Sequence, residues 1–291
     1  MQGLGLNSLR VSASDDGAVV YLSFEHGKAN EIGSAQLREL EALVAALRAD
    51  GRARALISTS RRVSSGGTPI FVAGADVNER VGWTDAHIEA HVRWQRQVLR
   101  ELRAVPVFHV AVVSGVAFGW GTEFLLTADY RIATPGASFA LPETGLGILP
   151  GAGGSSELHA VVGAPHALRL GMTGEAIDHE EAARVGLVQE LAVDQDAALA
   201  RAEALARRAA SRSPTANAAF KQAVLASEGR GAEERAEIEA VAYERCVRSG
   251  EAAIGRAHFA EIRRGVVPPW GPRVLDHEGL SPSRGEPEPR R

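Results

Sequence analysis

A chain of 291 residues, 45% hydrophobic and 23% charged, has the apolar mass for one large domain or for one domain with an appendage. A formal charge of −4 excludes the overall basic surface of a nucleic-acid binder, while leaving room for local basic clusters that hold an anionic small molecule. The single Cys246 excludes an internal disulfide and any Cys-rich metal site, as suits a reducing compartment. MQGLGLNSLRVSASDDG, at the start, has no basic segment followed by an apolar core. No stretch approaches the roughly 20 apolar residues of a membrane helix. The expectation is a cytoplasmic protein with no membrane or nucleic-acid partner.

In chain order, AVVYLSFEHG (18–27) alternates and then turns, which predicts a strand. SAQLRELEALVAALRAD (34–50) predicts an amphipathic helix: Leu37, Leu40, Val44 and Leu47 keep the helical period, Ser34 can cap the start, and Asp50-Gly51 ends it. ARALISTS (53–60) reads as a buried strand, RRVSSGGTP (61–69) as an exposed loop, and IFVAGADV (70–77) as a strand entering a glycine-containing turn. A long helix follows at 87–105, then a buried strand at 106–115 that leads into GVAFGWGTEF (115–124). Residues 122–130 look helical, 131–143 extended, and 147–163 like a turn feeding a helix. From about 196 the pattern is almost all helical, and the Pro-, Gly- and charge-rich end (266–291) reads as disordered or draped on the surface. These features predict an α/β core over 1–195, a helical segment over 196–265 and a tail.

The stretch GVAFGWGTEF places two glycines around a tryptophan, with a carboxylate just beyond. A dinucleotide loop would have Gly or Ala where Phe124 stands, and Glu123 would bring a negative charge to a pyrophosphate. No G-x-S-x-G elbow occurs here either. A strand feeding a helix near 119–122 does leave the first helical N–H groups without intrahelical partners, and glycine lets a ligand approach them. Such groups can polarise a carbonyl. Glu123 is then either an acid/base for that ligand or a charge that steadies the helix start. FVAGAD (71–76) offers a second N–H, at Ala73, and LPETGLGILPGAGG (141–154) presents Glu143 in a Gly-rich loop. Two donors with two carboxylates can polarise a carbonyl and move protons beside it.

HGKAN, FVAGADV, SGVAFGWGTEFLLTADYRIAT, FALPETGLGILPGAGG and GLVQELAV occur in the order and spacing of the crotonase (enoyl-CoA hydratase/isomerase) superfamily, which the chain resembles from about residue 10 to about 265. The resemblance implies a crotonase-like spiral of ββα units with a C-terminal helical segment, and assembly as a homotrimer or homohexamer. It implies that Ala73 and Trp120 supply the oxyanion-hole N–H groups for a thioester carbonyl, and that Glu123 and Glu143 are the acid/base pair. It places Lys28 and Ala29 against coenzyme A, Gly74 and Asp76 in the turn that holds the first donor, and Gly119 beside the substrate. More loosely, Phe259 and Arg263 resemble an aromatic–basic pair near coenzyme A. The implied activity is a lyase's: reversible hydration of a 2-enoyl-CoA to a 3-hydroxyacyl-CoA, with coenzyme A present only as part of the substrate and no metal or redox cofactor. One glutamate takes a proton from water attacking Cβ while the other protonates Cα. The alternatives are a double-bond isomerase, a hydrolase or lyase on a specialised acyl-CoA, and a non-catalytic CoA-thioester binder.

Trp120 departs from the family, where glycine is usual. It keeps the backbone N–H and adds an indole that either shapes the acyl pocket or packs into the core behind the loop. Trp83 and Trp94 divide in the same way between lining an acyl tunnel and core packing. His109, on a buried strand, reads as a core histidine. His87 and His91, four apart with no third ligand in view, read as structural, and RRAASR (207–212) as a solvated helix face.

Overall fold

In a computed structural model that describes residues 6–274, LRVSA and VVYLSF form an antiparallel pair, β1 (Leu9–Ala13) and β2 (Val19–Phe24). The first of these is absent from the predicted elements, although LRVSA alternates apolar and polar residues; at five residues the alternation is short, and only Leu9 is buried. Helix α1 (Ser34–Ala49) buries Leu37, Leu40, Leu43, Val44 and Leu47, each contributing about 1.5–3 kcal/mol. Its N-cap is Gly33 rather than Ser34, whose N–H donates to Glu79 Oε2 at 2.8 Å.

After β3 (Ala55–Thr59), the expected loop 61–69 is instead a hairpin: β4 (Arg62–Val63) pairs antiparallel with β5 (Pro69–Val72) across Ser64–Thr68. Helix α2 (Asp85–Arg103) starts at Thr84, whose hydroxyl accepts from His87 N, and leads to β6 (Phe108–Val113), β7 (Val116–Phe118) and the short α3 (Trp120–Leu125). The segment predicted as extended over 131–143 splits into β8 (Tyr130–Ala133) and β9 (Ser138–Ala140), separated by a turn closed from Ala137 N to Thr134 O. Then come α4 (Leu158–Val162), α5 (Ala164–Thr173), β10 (Ile177–Asp178), α6 (His179–Arg184) and β11 (Glu190–Leu191).

The strands form two sheets, one ordered β1-β2-β3-β6-β8-β11 and the other β10-β9-β7-β5-β4, and from β5 to β9 successive strands alternate between them. Pairing is parallel from β2 to β11 in the first sheet, and from β9 through β7 to β5 in the second. Both faces of β3 and β6 are covered. Leu56, Ala111 and Val113 join the main core, whereas Ile57, Val110 and Val112 pack against Ala198, Ala202 and Ala206 of α7 (Gln195–Ala210). That alanine stripe, one residue per turn, ties α7 to the α/β core. The chain therefore divides at Arg208/Ala209 and not at the expected 195/196.

The second unit contains α8 (Pro214–Ala226), α9 (Ala232–Arg248), α10 (Glu251–Ala257) and α11 (Phe259–Arg263). Ala219 of α8 and Ala242 of α9 form its small core. Of the predicted tail, residues 266–274 are ordered against this unit: Trp270 Nε1 donates to Ser211 O at 3.1 Å and Val274 N to Thr215 Oγ1 at 3.2 Å. Residues 275–291 of the tail lie outside the described residues.

Candidate active site

Because β5 and β7 are parallel neighbours, their C-terminal ends lie side by side, and each runs straight into a turn of small residues. A cavity of about 780 Å³ opens there, lined by Ala73, Gly74 and Ala75 after β5 and by Gly119, Trp120 and Glu123 after β7. Glu143 closes another side from a 3₁₀ turn, Pro142–Leu146. The cavity thus unites the two carboxylates that the sequence leaves twenty residues apart.

The first turn differs from expectation in one atom. Ala73 N is not free: it donates to Ala29 O at 3.0 Å. Gly74 O accepts from Ile32 N and Asp76 N donates to Ile32 O, so residues 74 and 76 turn toward that strand-like bridge. Strand alternation then points Ala75 N–H the other way, and it has no hydrogen-bond partner among the described residues. Ala75 replaces Ala73 as the available donor of this turn.

At the second turn, Gly119 adopts φ 50°, and a Cβ there would lie 2.6 Å from Glu143 Oε1. Trp120 is the first helical residue with ordinary helical φ, so its backbone does not require glycine. The first intrahelical bond of α3 runs from Glu123 N to Gly119 O, which leaves Trp120 N–H without a partner among the described residues. Thr122 Oγ1 fastens the turn by donating toward Ala117 O and Ala140 O, at 2.6 and 3.0 Å.

Glu123 is 4% exposed, and its Oε1 accepts from Ala152 N (2.7 Å) and Gly154 N (2.8 Å). It serves that loop and the cavity, not the N–H groups of its own helix. Burial pushes its carboxyl up to about 7, against those backbone bonds and with help from the charge of Glu143. Glu143 is partly buried, its pKa also raised by burial, and its Oε2 is enclosed with no hydrogen-bond partner among the described residues.

The remaining expected residues fall elsewhere. Asp76 does not line the cavity; its Oδ1 accepts from Asn78 N and Glu79 N and so shapes the following turn. Lys28 is exposed beside Ala29, whose carbonyl already serves Ala73, and neither lines the cavity. Phe259, 62% exposed, and Arg263 lie on α11 of the second unit. His109 is fully buried with Nε2 2.9 Å from Ser58 Oγ. His87 and His91 hold the Trp83 ring, at 4.0 and 5.0 Å between centroids, and no cluster suited to a metal exists among the described residues. Trp94 bonds Glu41 through Nε1, and neither it nor Trp83 lines the cavity. In the basic run, Arg207 pairs with Asp16 and Glu203.

Asn30 is a residue whose role sequence reasoning passed over. It is fully buried at φ 56°, a conformation asparagine tolerates, and its Nδ2 lies 2.8–3.0 Å from Phe24 O, Ser60 Oγ and Phe71 O. It thereby fixes the turn that occupies Ala73 N. The signal was present in HGKAN, but there only Lys28 and Ala29 carry a role by resemblance.

Residues 14–271 match the enoyl-CoA hydratase/isomerase family, and the chain belongs to that family. It is 31% identical over 255 residues to a probable mitochondrial enoyl-CoA hydratase 2 of Arabidopsis thaliana, covering 88% of this chain and 83% of that protein. With a short-chain-enoyl-CoA hydratase of Clostridium acetobutylicum it shares 32% identity over 210 residues, 72% of this chain and 78% of the relative. The structure of an enoyl-CoA hydratase from Bacillus anthracis superimposes with a TM-score of 0.82 at 29% identity, covering 91% of this chain and 99% of that one. The crotonase-type α/β fold with C-terminal helices is thus this chain's own. No helix among its described residues is long and apolar enough to cross a membrane.

The indole of Trp120 is 2% exposed, part of the main core, and stacked on Phe124 at 5.7 Å. Packing therefore accounts for most of its bulk, even though the residue also lines the cavity. Trp120→Gly is expected to cost about 3–5 kcal/mol, as other large-to-small core changes do, measured by urea unfolding. A cost below about 1 kcal/mol would mean that the indole is not packed as the structure has it.

Proposed function

We propose that the site adds water reversibly across the double bond of a 2-enoyl-CoA thioester. The observation that carries this reading is the pair of glutamates facing one cavity beside two unbonded backbone N–H groups, Ala75 and Trp120. The two N–H groups form the oxyanion hole: they polarise the thioester carbonyl, which makes Cβ electrophilic and stabilises negative charge on oxygen. Burial and mutual repulsion favour one shared proton on the glutamate pair near neutral pH, so one carboxylate is a base while the other is an acid. The base takes a proton from water as its oxygen bonds to Cβ, and the acid delivers a proton to Cα. Lys28, exposed on the turn before Asn30, is the cation assigned to the phosphates of coenzyme A. Relatives named enoyl-CoA hydratases support the choice of hydration.

The test is loss of the conjugated enoyl-thioester absorbance of crotonyl-CoA on adding the protein. Glu143→Gln is expected to slow it about 10²–10⁴-fold. Double-bond migration without net water uptake, undiminished in Glu143→Gln, would replace hydration by isomerisation through Glu123 alone.

A further inference from the structure

Three arginines line the cavity, and two of them are engaged. Arg96 Nε donates to Gly151 O at 2.8 Å, and Arg93 lies 3.8 Å from Glu89 one turn earlier on α2. Arg80 is different. It is partly buried, its Nε is enclosed without a hydrogen-bond partner, and among the described residues its guanidinium has no ion pair. The carboxylates around it are occupied by backbone N–H groups: Asp76 by Asn78 and Glu79, Glu79 by Ser34, Glu123 by Ala152 and Gly154. They act on Arg80 only at a distance, while burial disfavours its charge. A cation held partly out of water and bonded directly to no carboxylate leaves its donors for a ligand to pair. Val77, Ile88, Val92, Leu146 and Ile148 also line the cavity and offer apolar surface that can receive an acyl chain. A guanidinium in such a cavity presents a planar fork that matches a carboxylate.

We infer that Arg80 receives a carboxylate carried by the acyl group, so that the ligand is the coenzyme A monothioester of a dicarboxylic acid. The inference rests on the CoA-thioester reading of the site, though not on which reaction occurs there. A plain fatty acyl chain would leave the guanidinium unpaired and desolvate it further, so the same residue discriminates against that class.

The experiment measures Kd by calorimetry for saturated thioesters, which the proposed reaction leaves unchanged, in pairs of equal chain length: succinyl- and butyryl-CoA, glutaryl- and pentanoyl-CoA, adipyl- and hexanoyl-CoA. In the wild-type protein, the dicarboxylic member of at least one pair is expected to bind about 100-fold more tightly. Arg80→Met is expected to abolish that preference, and Arg80→Lys, which keeps the charge but loses the fork, to retain part of it. The wild-type comparison stands even if a variant fails to fold. Equal or weaker binding of the dicarboxylic member at all three lengths overturns the inference. So does an equal weakening of both members in Arg80→Met, which would place the anion on the coenzyme A phosphates. A dicarboxylic preference without turnover of any enoyl-CoA would sink the hydration reading and leave this one standing.

Discussion

Glu123→Gln is expected to lower the rate of the proposed hydration by about 10²–10⁴-fold and, at pH 8, to make the folded chain more stable than wild type. The two effects have one cause. Glu123 is almost fully buried, and burial lifts its carboxyl from 4.5 to about 7. Below pH 4.5 the group is protonated in the folded and unfolded chain alike and adds no pH dependence. Between 4.5 and about 7 the unfolded chain releases a proton that the folded chain retains, so stability falls as pH rises. Above 7 the loss is complete, at about 3 kcal/mol. Glutamine is neutral throughout and keeps an oxygen for Ala152 N and Gly154 N. The difference in unfolding free energy between variant and wild type is therefore expected to be near zero at pH 4 and to grow to about 3 kcal/mol in the variant's favour at pH 8. Urea unfolding of both proteins at the two pH values measures it directly. A gap independent of pH would mean that Glu123 is ionised at no cost, and the shared-proton mechanism would lose its acid. A stabilising substitution that removes activity is what a catalytic group held in an unfavourable environment should give.

Much of this arrangement is legible in the sequence, and the failures share a cause. Glu123 and Glu143 can be picked out because a carboxylate among glycines and apolar residues has few ordinary uses, and α1 is readable from its own leucines. The donor after β5 is not. FVAGAD offers several small residues, and which N–H remains free depends on Ala29 and Ile32, forty or so residues earlier, and on the buried side chain of Asn30. Arg80 is equally opaque: that it lines the cavity with an enclosed Nε and, among the described residues, no direct ion pair follows from the fold and not from its neighbours in the chain. The boundary near 195 fails for a related reason. Ala198, Ala202 and Ala206 look like helix filler until β3 and β6 supply the outer sheet face they cover. Patterns local to one element survive reading in one dimension, whereas the assignment of a free donor, a free cation or a helix's partner needs the rest of the fold.

Gly121→Ala, a single methyl group, is expected to do the greatest structural damage to the site. A Cβ at Gly121 would lie 2.1 Å from Val72 O and 3.1 Å from Val72 C and Cβ. The main obstacle is backbone in β5, so no rotamer relieves it, and α3 must move away from the strand. Such overpacking costs about 1–3 kcal/mol or more. The displacement falls on the site itself, because Val72 leads directly into the turn holding Ala75, and Trp120 is the residue before Gly121. Moving α3 from β5 separates the two N–H groups assigned to the thioester oxygen. Losing one such donor elsewhere costs about 10²–10³ in kcat, and the same is expected here. The loss should appear in kcat more than in the Kd of a saturated acyl-CoA, since the donors matter most once charge has built up on oxygen. Assays well below the variant's melting temperature keep the effect separate from unfolding. A folded Gly121→Ala protein with wild-type kcat would show that the contact between α3 and β5 does not set the oxyanion geometry. It would also restrict the need for glycine to position 119, where a Cβ would strike the Glu143 carboxylate. Either way, the glycines flanking Trp120 serve close approach on two different sides: Gly119 admits the second glutamate, and Gly121 admits the strand that carries the first donor.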